Sequence, residues 1–283
     1  MNRESTLPAG YEMGLAFRCV ADAFALIRQP FALLLVALVA AGKLLVVAQF
    51  AIYPGGPLGH GLAPLLRVLG DDAGPHYPDA YACFPRALSI LDPGLDLVLG
   101  VPWIVGLIAA MPEVVAGRPR PRGLRAMTAA RLPAALAAAL PAALLLVGVA
   151  LLGERIGAKT FGVVRLGLGV VTAMASLAVT SAVAYAVPAC ALGAKSPAAA
   201  LARSFALAAR VPRLTIGTVL VEAVVTAIFR PPPDLVSGTF DVLDPGYVLV
   251  VLGLGAIVLA CVEALRVATL ARLYIHAGEG TTE

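Results

Sequence analysis

Charge is scarce in this chain of 283 residues: Asp, Glu, Lys and Arg make up 13%, hydrophobic residues 60%, and the mean hydropathy is +0.92. A soluble domain of this size needs a polar exterior, so this balance excludes one and points to a chain solvated by lipid. Aromatic residues are also few, at 6% with a single Trp. Ala, Leu, Val and Gly supply most of the apolar surface, and small residues of this kind let helices approach closely in lipid. The four cysteines, Cys19, Cys83, Cys190 and Cys261, form no CxxC pair. With only Cys83 placed on the outer side of the topology below, neither an internal disulfide nor a zinc framework is expected. Nothing at the N-terminus has the form of a signal peptide, because charged residues such as Glu12, Arg18, Asp22 and Arg28 interrupt the first 29 positions and no cleavable apolar core precedes the first span. No glycine run has phosphate-loop form, and Ser196, Ser204 and Ser237 lie in no nucleophile elbow.

Long apolar runs are abundant. A segment must hold roughly 20 apolar residues to cross about 30 Å of hydrocarbon. Six runs qualify, at about 30–53, 95–115, 133–152, 163–190, 212–229 and 247–267. None has the period-two alternation of a membrane barrel, so the expected fold is an all-α integral membrane protein of six transmembrane helices. Pro102 and Pro188 should kink or shorten the second and fourth spans.

Basic residues orient the chain. Arg3, Arg18 and Arg28 precede the first span. Arg118, Arg120, Arg122, Arg125 and Arg131 follow the second, and Lys195, Arg203, Arg210 and Arg213 follow the fourth, with Arg266 and Arg272 near the end. The other side holds Arg67, Arg86, Arg155, Lys159, Arg165 and Arg230. That excess places both termini in the cytoplasm of a multi-pass cell (inner) membrane protein. Residues 1–29 then form a cytoplasmic segment with an amphipathic helix, 30–275 the membrane domain and 276–283 a short cytoplasmic tail. Residues from about 54 to 93, rich in Gly and Pro, read as an irregular outer loop carrying a short interfacial helix. His60, His76, Asp71, Asp72 and Asp79 fall in it without a metal-binding pattern.

Three of the spans begin at Arg-x-Pro: Arg28-Gln29-Pro30, Arg131-Leu132-Pro133 and Arg210-Val211-Pro212. Proline suits the first turn of a helix and breaks the one before it, so each motif predicts an elbow after an amphipathic stretch. The chain reads as three two-helix repeats, each entered through an amphipathic elbow helix.

Ionisable groups inside spans are costly and mark candidate sites. Lys43 lies thirteen residues past Pro30 and Glu222 ten past Pro212, with Thr215, Thr218 and Thr226 on the Glu222 face. At about 1.5 Å per residue the two charges differ in depth by roughly 4–5 Å, within reach of a lysine stem. Lys43, Glu222, Thr218 and Thr226 are the candidate intramembrane polar site. The pair either fixes helix packing or serves a proton or substrate path, and the alternative for Lys43 is to snorkel alone. Thr172, Ser176 and Thr180, four apart, suit hydroxyl contacts within or between helices. Glu263 and Arg266 read as a local pair near the end of the sixth span, and Glu113 as a solvated group. Arg28, Arg118, Arg120, Arg122, Arg125, Arg131 and Arg210 are candidate contacts for anionic lipid headgroups, although the topogenic signal alone accounts for them. A basic balance of this origin calls for no nucleic acid.

The stretch Tyr185-Ala-Val-Pro188, then Lys195-Ser196-Pro197-Ala-Ala-Ala-Leu201-Ala-Arg203-Ser204-Phe205-Ala-Leu207, and the closing Ala271-Arg272-Leu273-Tyr274, resemble six-span bacterial membrane proteins. These are grouped with the membrane domain of glycerophosphoryl diester phosphodiesterases and the YciC-like family of unknown function. The resemblance implies a span ending near a proline, a short turn, and an Ala-Leu-x-x-Ser helix leading into the next span. Gly193-Ala194-Lys195 replaces the acidic turn residue of that pattern. With no attached phosphodiesterase domain, the resemblance implies no catalysis and carries over no functional residue.

The expectation is a non-catalytic protein without cofactor, a scaffold or accessory factor organising lipids, a membrane-protein partner or a second copy of itself. The alternative is a small transporter using Lys43 and Glu222. Topology is tested by single cysteines at Asp72, Arg122 and Ala199 in a cysteine-free background. An impermeant thiol reagent applied to intact cells should label only the Asp72 position; labelling at either other site breaks the assignment.

Overall fold

Six helical stretches are long and apolar enough to cross a membrane: Pro30–Ala51, Ile90–Met111, Leu124–Gly157, Gly162–Ala191, Pro212–Phe229 and Gly246–His276. The computed structural model describes residues 9–52, 59–69, 79–115, 123–157, 160–194, 196–229 and 245–279, which contain no strand. In chain order the helices are α1 (Ala9–Ile27), α2 (Pro30–Ala51), α3 (Gly59–Leu69), α4 (Asp79–Leu95), α5 (Val101–Val115), α6 (Leu124–Gly157) and α7 (Gly162–Val183). They continue with α8 (Ala186–Ala191), α9 (Pro197–Arg210), α10 (Pro212–Phe229) and α11 (Pro245–Glu279). A π-helical turn, Asp96–Gly100, joins α4 to α5.

The sequence expectation needs correcting at three places. The segment read as an irregular outer loop with one short interfacial helix contains such a helix, α3, but also most of α4, and the second span begins within α4, at Ile90. The prolines and glycines there suggested a loop, but Phe84, Ala87, Leu88 and Leu91 recur at helical spacing and pack inward. Phe84 stacks on Phe50 of α2, with ring centroids 4.6 Å apart. At the second Arg-x-Pro there is no break: α6 runs through Pro133 and Pro141 for 34 residues, about 51 Å at 1.5 Å per residue. Near the other two motifs the helix does break. Gln29 is extended before Pro30, and Val211, at φ −125° and ψ 58°, separates α9 from α10.

The long α11 runs against α1, α2 and α10, while α6 packs on α5, α7 and α8. Small residues make the close contacts. Ala260, Ala264, Ala268 and Ala271 of α11, with Ala135 and Ala138 of α6, are all buried in the main core. The span through α5 is 61% buried, against 6% for the one through α7 and 11% for α10, so those last two lie at the edge of the bundle. On the amphipathic α1, Asp22 pairs with Arg272 of α11, Nε to Oδ2 at 3.0 Å. Burial pushes the neighbouring Cys19 thiol up to about 11 against the opposing pull of Arg272, so it stays neutral and packs as a small apolar group.

Pro188 accompanies an interruption of the fourth span at Ala184 and Tyr185, between α7 and α8. One side chain from α9 binds both sides of that break. Ser204 Oγ donates to the Ala182 carbonyl at 2.8 Å and accepts from the Tyr185 N–H at 3.1 Å. Tyr185 in turn reaches Thr215 of α10, hydroxyl to hydroxyl at 2.8 Å. Ser196 caps α9 by accepting from the Ala199 N–H. Replacing Ser204 by Ala leaves a buried carbonyl and N–H without this partner, and should cost about 1–3 kcal/mol. A lowered thermal midpoint in lipid nanodiscs is the expected result; an unchanged midpoint would show that the bridge contributes nothing.

Candidate functional site

Lys43 is the sole charged residue of α2, and it is 3% exposed among apolar neighbours. Its ammonium lies 2.6 Å from Asp96, 3.4 Å from Asp92 and 3.5 Å from Glu263. Glu222 instead pairs with Arg266, whose Nε stands 2.9 Å from the carboxylate. The direct Lys43–Glu222 pair expected from depth is therefore replaced by two adjoining pairs. Glu263 and Arg266, one turn apart on α11, connect them, and neither forms the local pair that their spacing suggested. Sequence reasoning missed Asp92, because Asp92-Pro93-Gly94 reads as loop, and it passed over Asp96 although that residue lies inside the expected 95–115 run. The available signal was two carboxylates four apart beside an apolar run, which puts both on one helix face if the helix extends that far.

Backbone geometry sets the carboxylates in place. Pro102 has no N–H and its ring crowds the preceding turn, and just before it the chain widens into the π turn. Val101 N–H donates to the Asp96 carbonyl across that turn. Gly42 admits the turn against α2: a Cβ there would meet Leu99 Cδ1 at 2.8 Å. At Gly100 a Cβ would stand 3.4 Å from both Asp96 Cβ and Glu263 Oε1. Two glycines thus make the room in which the charges meet.

Asp92, Asp96, Glu222, Glu263 and Arg266 also line a cavity of about 560 Å³, whose remaining wall is mostly Ala, Leu and Val from α5, α6, α7, α10 and α11. Ser176, Thr180 and Thr226 add hydroxyls to the wall. The Thr226 hydroxyl donates to the Glu222 carbonyl at 2.8 Å. Thr218 donates to the Thr215 carbonyl and Thr172 to backbone carbonyls of its own helix, so both serve helix packing. The site therefore comprises six charged side chains, four acidic and two basic, at the edge of a largely apolar chamber. Such an arrangement can take up positive charge and cover an apolar body.

Of the arginines proposed for lipid, Arg125 is exposed at the start of α6, while Arg28 and Arg210 stand where α1 and α9 end. Arg131 donates to the Ala191 carbonyl and so caps the last turn of α8. Arg118, Arg120 and Arg122 lie outside the described residues, as do Asp71, Asp72, His76 and the side chain of Glu113.

The clearance at Gly100 generates a size series. Ala should be accommodated with small shifts, whereas Leu must push Glu263 or Asp96 aside and should cost about 1–3 kcal/mol. Thermal unfolding in nanodiscs measures it; a Gly100→Leu variant as stable as the parent would mean the cluster is loosely held. Comparison with family models, curated proteins and solved structures finds no match for this chain.

Proposed function

We propose that this chain is a small, non-enzymatic transporter of the cell membrane whose solute is cationic. One observation carries the reading: four carboxylates and Arg266 line a cavity among membrane-spanning helices, with the Lys43 ammonium buried behind three of those carboxylates. Intramembrane ionisable groups are retained mainly where they face a path or bind an ion, because the bilayer otherwise penalises them. The imbalance of two carboxylates favours a proton or a cation from outside the chain. Asp92, Asp96 and Glu222 are the residues that would meet it, and Glu263 and Arg266 couple the two ion pairs through α11.

The second reading is a scaffold or accessory factor for lipids or a partner protein. The largely unburied spans through α7 and α10 favour it, since they leave broad apolar faces for lipid, a membrane partner or a second copy. That reading needs the charges only as packing, and a dry contact would serve it; the cavity beside them weighs the other way. Cytoplasmic termini and amphipathic α1 and α9 lying as elbow helices among anionic headgroups belong to both readings. So does descent from a two-helix repeat within the six-span family that the 185–207 stretch resembles.

Reconstituted protein on a solid-supported membrane tests the transporter. Concentration jumps of protons, sodium, potassium, ammonium and phenethylammonium should give a charge-displacement current with at least one of them. Asp96→Asn and Glu222→Gln should each reduce it about tenfold or more, the usual scale for loss of a charged contact of a kcal/mol or two. Silence with every cation, from protein that keeps its thermal transition, sinks the transporter and leaves the scaffold.

A further inference from the structure

We infer that Lys43 is a tethered competitor for the solute site, and that the solute is an organic ammonium ion with an apolar body. This rests on the transporter reading. Asp92, Asp96 and Glu263 face two ways: each lies within 3.5 Å of the Lys43 ammonium, and each also lines the cavity. Lys43 stays behind that wall, 3% exposed. The Asp96 side chain, by contrast, is 39% exposed and that of Asp92 20%. A cation entering the cavity therefore meets the carboxylates that Lys43 already holds, from the opposite side.

The second cation of the site is committed elsewhere, since Arg266 pairs with Glu222. Lys43 can yield without losing all partners. Its flexible four-carbon stem needs only a short swing to leave Asp96, at 2.6 Å, and tighten on Glu263, at 3.5 Å. Asp96 is then released to the solute. The swing conserves the chain's own charge, and the arriving cation cancels part of the carboxylate excess.

The identity of the cation follows from the rest of the wall. Among the described residues no three His, Cys, Asp or Glu side chains gather closely enough to hold a metal ion. The wall beyond the acids is built from residues such as Ala139, Ala142, Leu146 and Leu177. About 560 Å³ of mostly apolar space suits a small organic molecule rather than a hydrated inorganic ion. A primary ammonium matches the group it displaces.

The test is isothermal titration of the purified protein in phosphatidylcholine nanodiscs with phenethylammonium, its neutral isostere 2-phenylethanol, and sodium. Lys43→Met should bind phenethylammonium about tenfold more tightly than the parent chain, and Asp96→Asn about tenfold less tightly. The same lysine substitution made on Asp96→Asn should still tighten binding relative to Asp96→Asn alone. That double variant, with one charge of each sign removed, supplies the comparison if Lys43→Met does not fold. Equal or weaker binding after loss of Lys43 overturns the competitor, and it leaves the transporter standing if the phenethylammonium current persists. Binding of 2-phenylethanol as tight as that of the ammonium, or of sodium in its place, overturns the assigned solute class. Loss of every cation-driven current removes the transporter and this inference together.

Discussion

A positive charge near the middle of an apolar helix must find partners within the bundle, and much of this fold is arranged around that need. Replacing a buried ion pair by apolar residues is often harmless, but removing one partner leaves an uncompensated charge at a cost of about 3–5 kcal/mol. Lys43 therefore constrains three other segments at once. Asp92 and Asp96 must be helical at its depth, which requires the second span to start inside α4. The π turn must come close to α2, which requires Gly42. Glu263 must reach in from α11, which requires the space at Gly100.

Away from the ions, contact rather than charge holds the helices. Buried alanines on α6, α8 and α11 let backbones approach, and lipid offers no hydrophobic drive to replace that contact. Breaks in the helices are repaired locally. Ser204 serves the gap between α7 and α8, and Arg131 the end of α8. The closely packed core formed by α2, α5, α8 and α11 contrasts with the neighbouring cavity. There the sparsely buried α7 and α10 supply much of the wall, and the charged residues stand where the two regions meet.

The amino-acid sequence makes the membrane class and the six apolar stretches legible, because length and hydropathy are local properties. Lys43 and Glu222 are legible for the same reason: a charge inside an apolar run stands out. Their pairing is not, because it depends on which helices become neighbours. Asp92 is hidden further by Pro93 and Gly94, residues that signal a turn in water but are carried inside a helix here by the stripe of Phe84, Ala87 and Leu88, whereas Asp96 stands inside the expected 95–115 run and is as legible as Lys43. The reverse error occurs at Pro133. Its Arg-x-Pro resembles the two at 28–30 and 210–212, yet α6 passes through it unbroken, so a short motif does not fix a break when the flanking turns favour a helix.

The charge count gives the cluster a meaning that packing alone does not. If its purpose were only to lock α2, α4, α10 and α11 together, equal numbers of acids and bases in a filled contact would do so at lower cost, and apolar side chains would do so more cheaply still. Instead two carboxylates stand in excess, and two of the four are part-exposed aspartates that line the cavity between the helices. Asp92 and Asp96 also sit on either side of the start of a π turn, a backbone irregularity that an uninterrupted span would avoid and that recurs at functional sites. Each of these features is a departure from the arrangement that stability favours. Their coincidence around one lysine is the physical reason for proposing this cluster as the protein's working site.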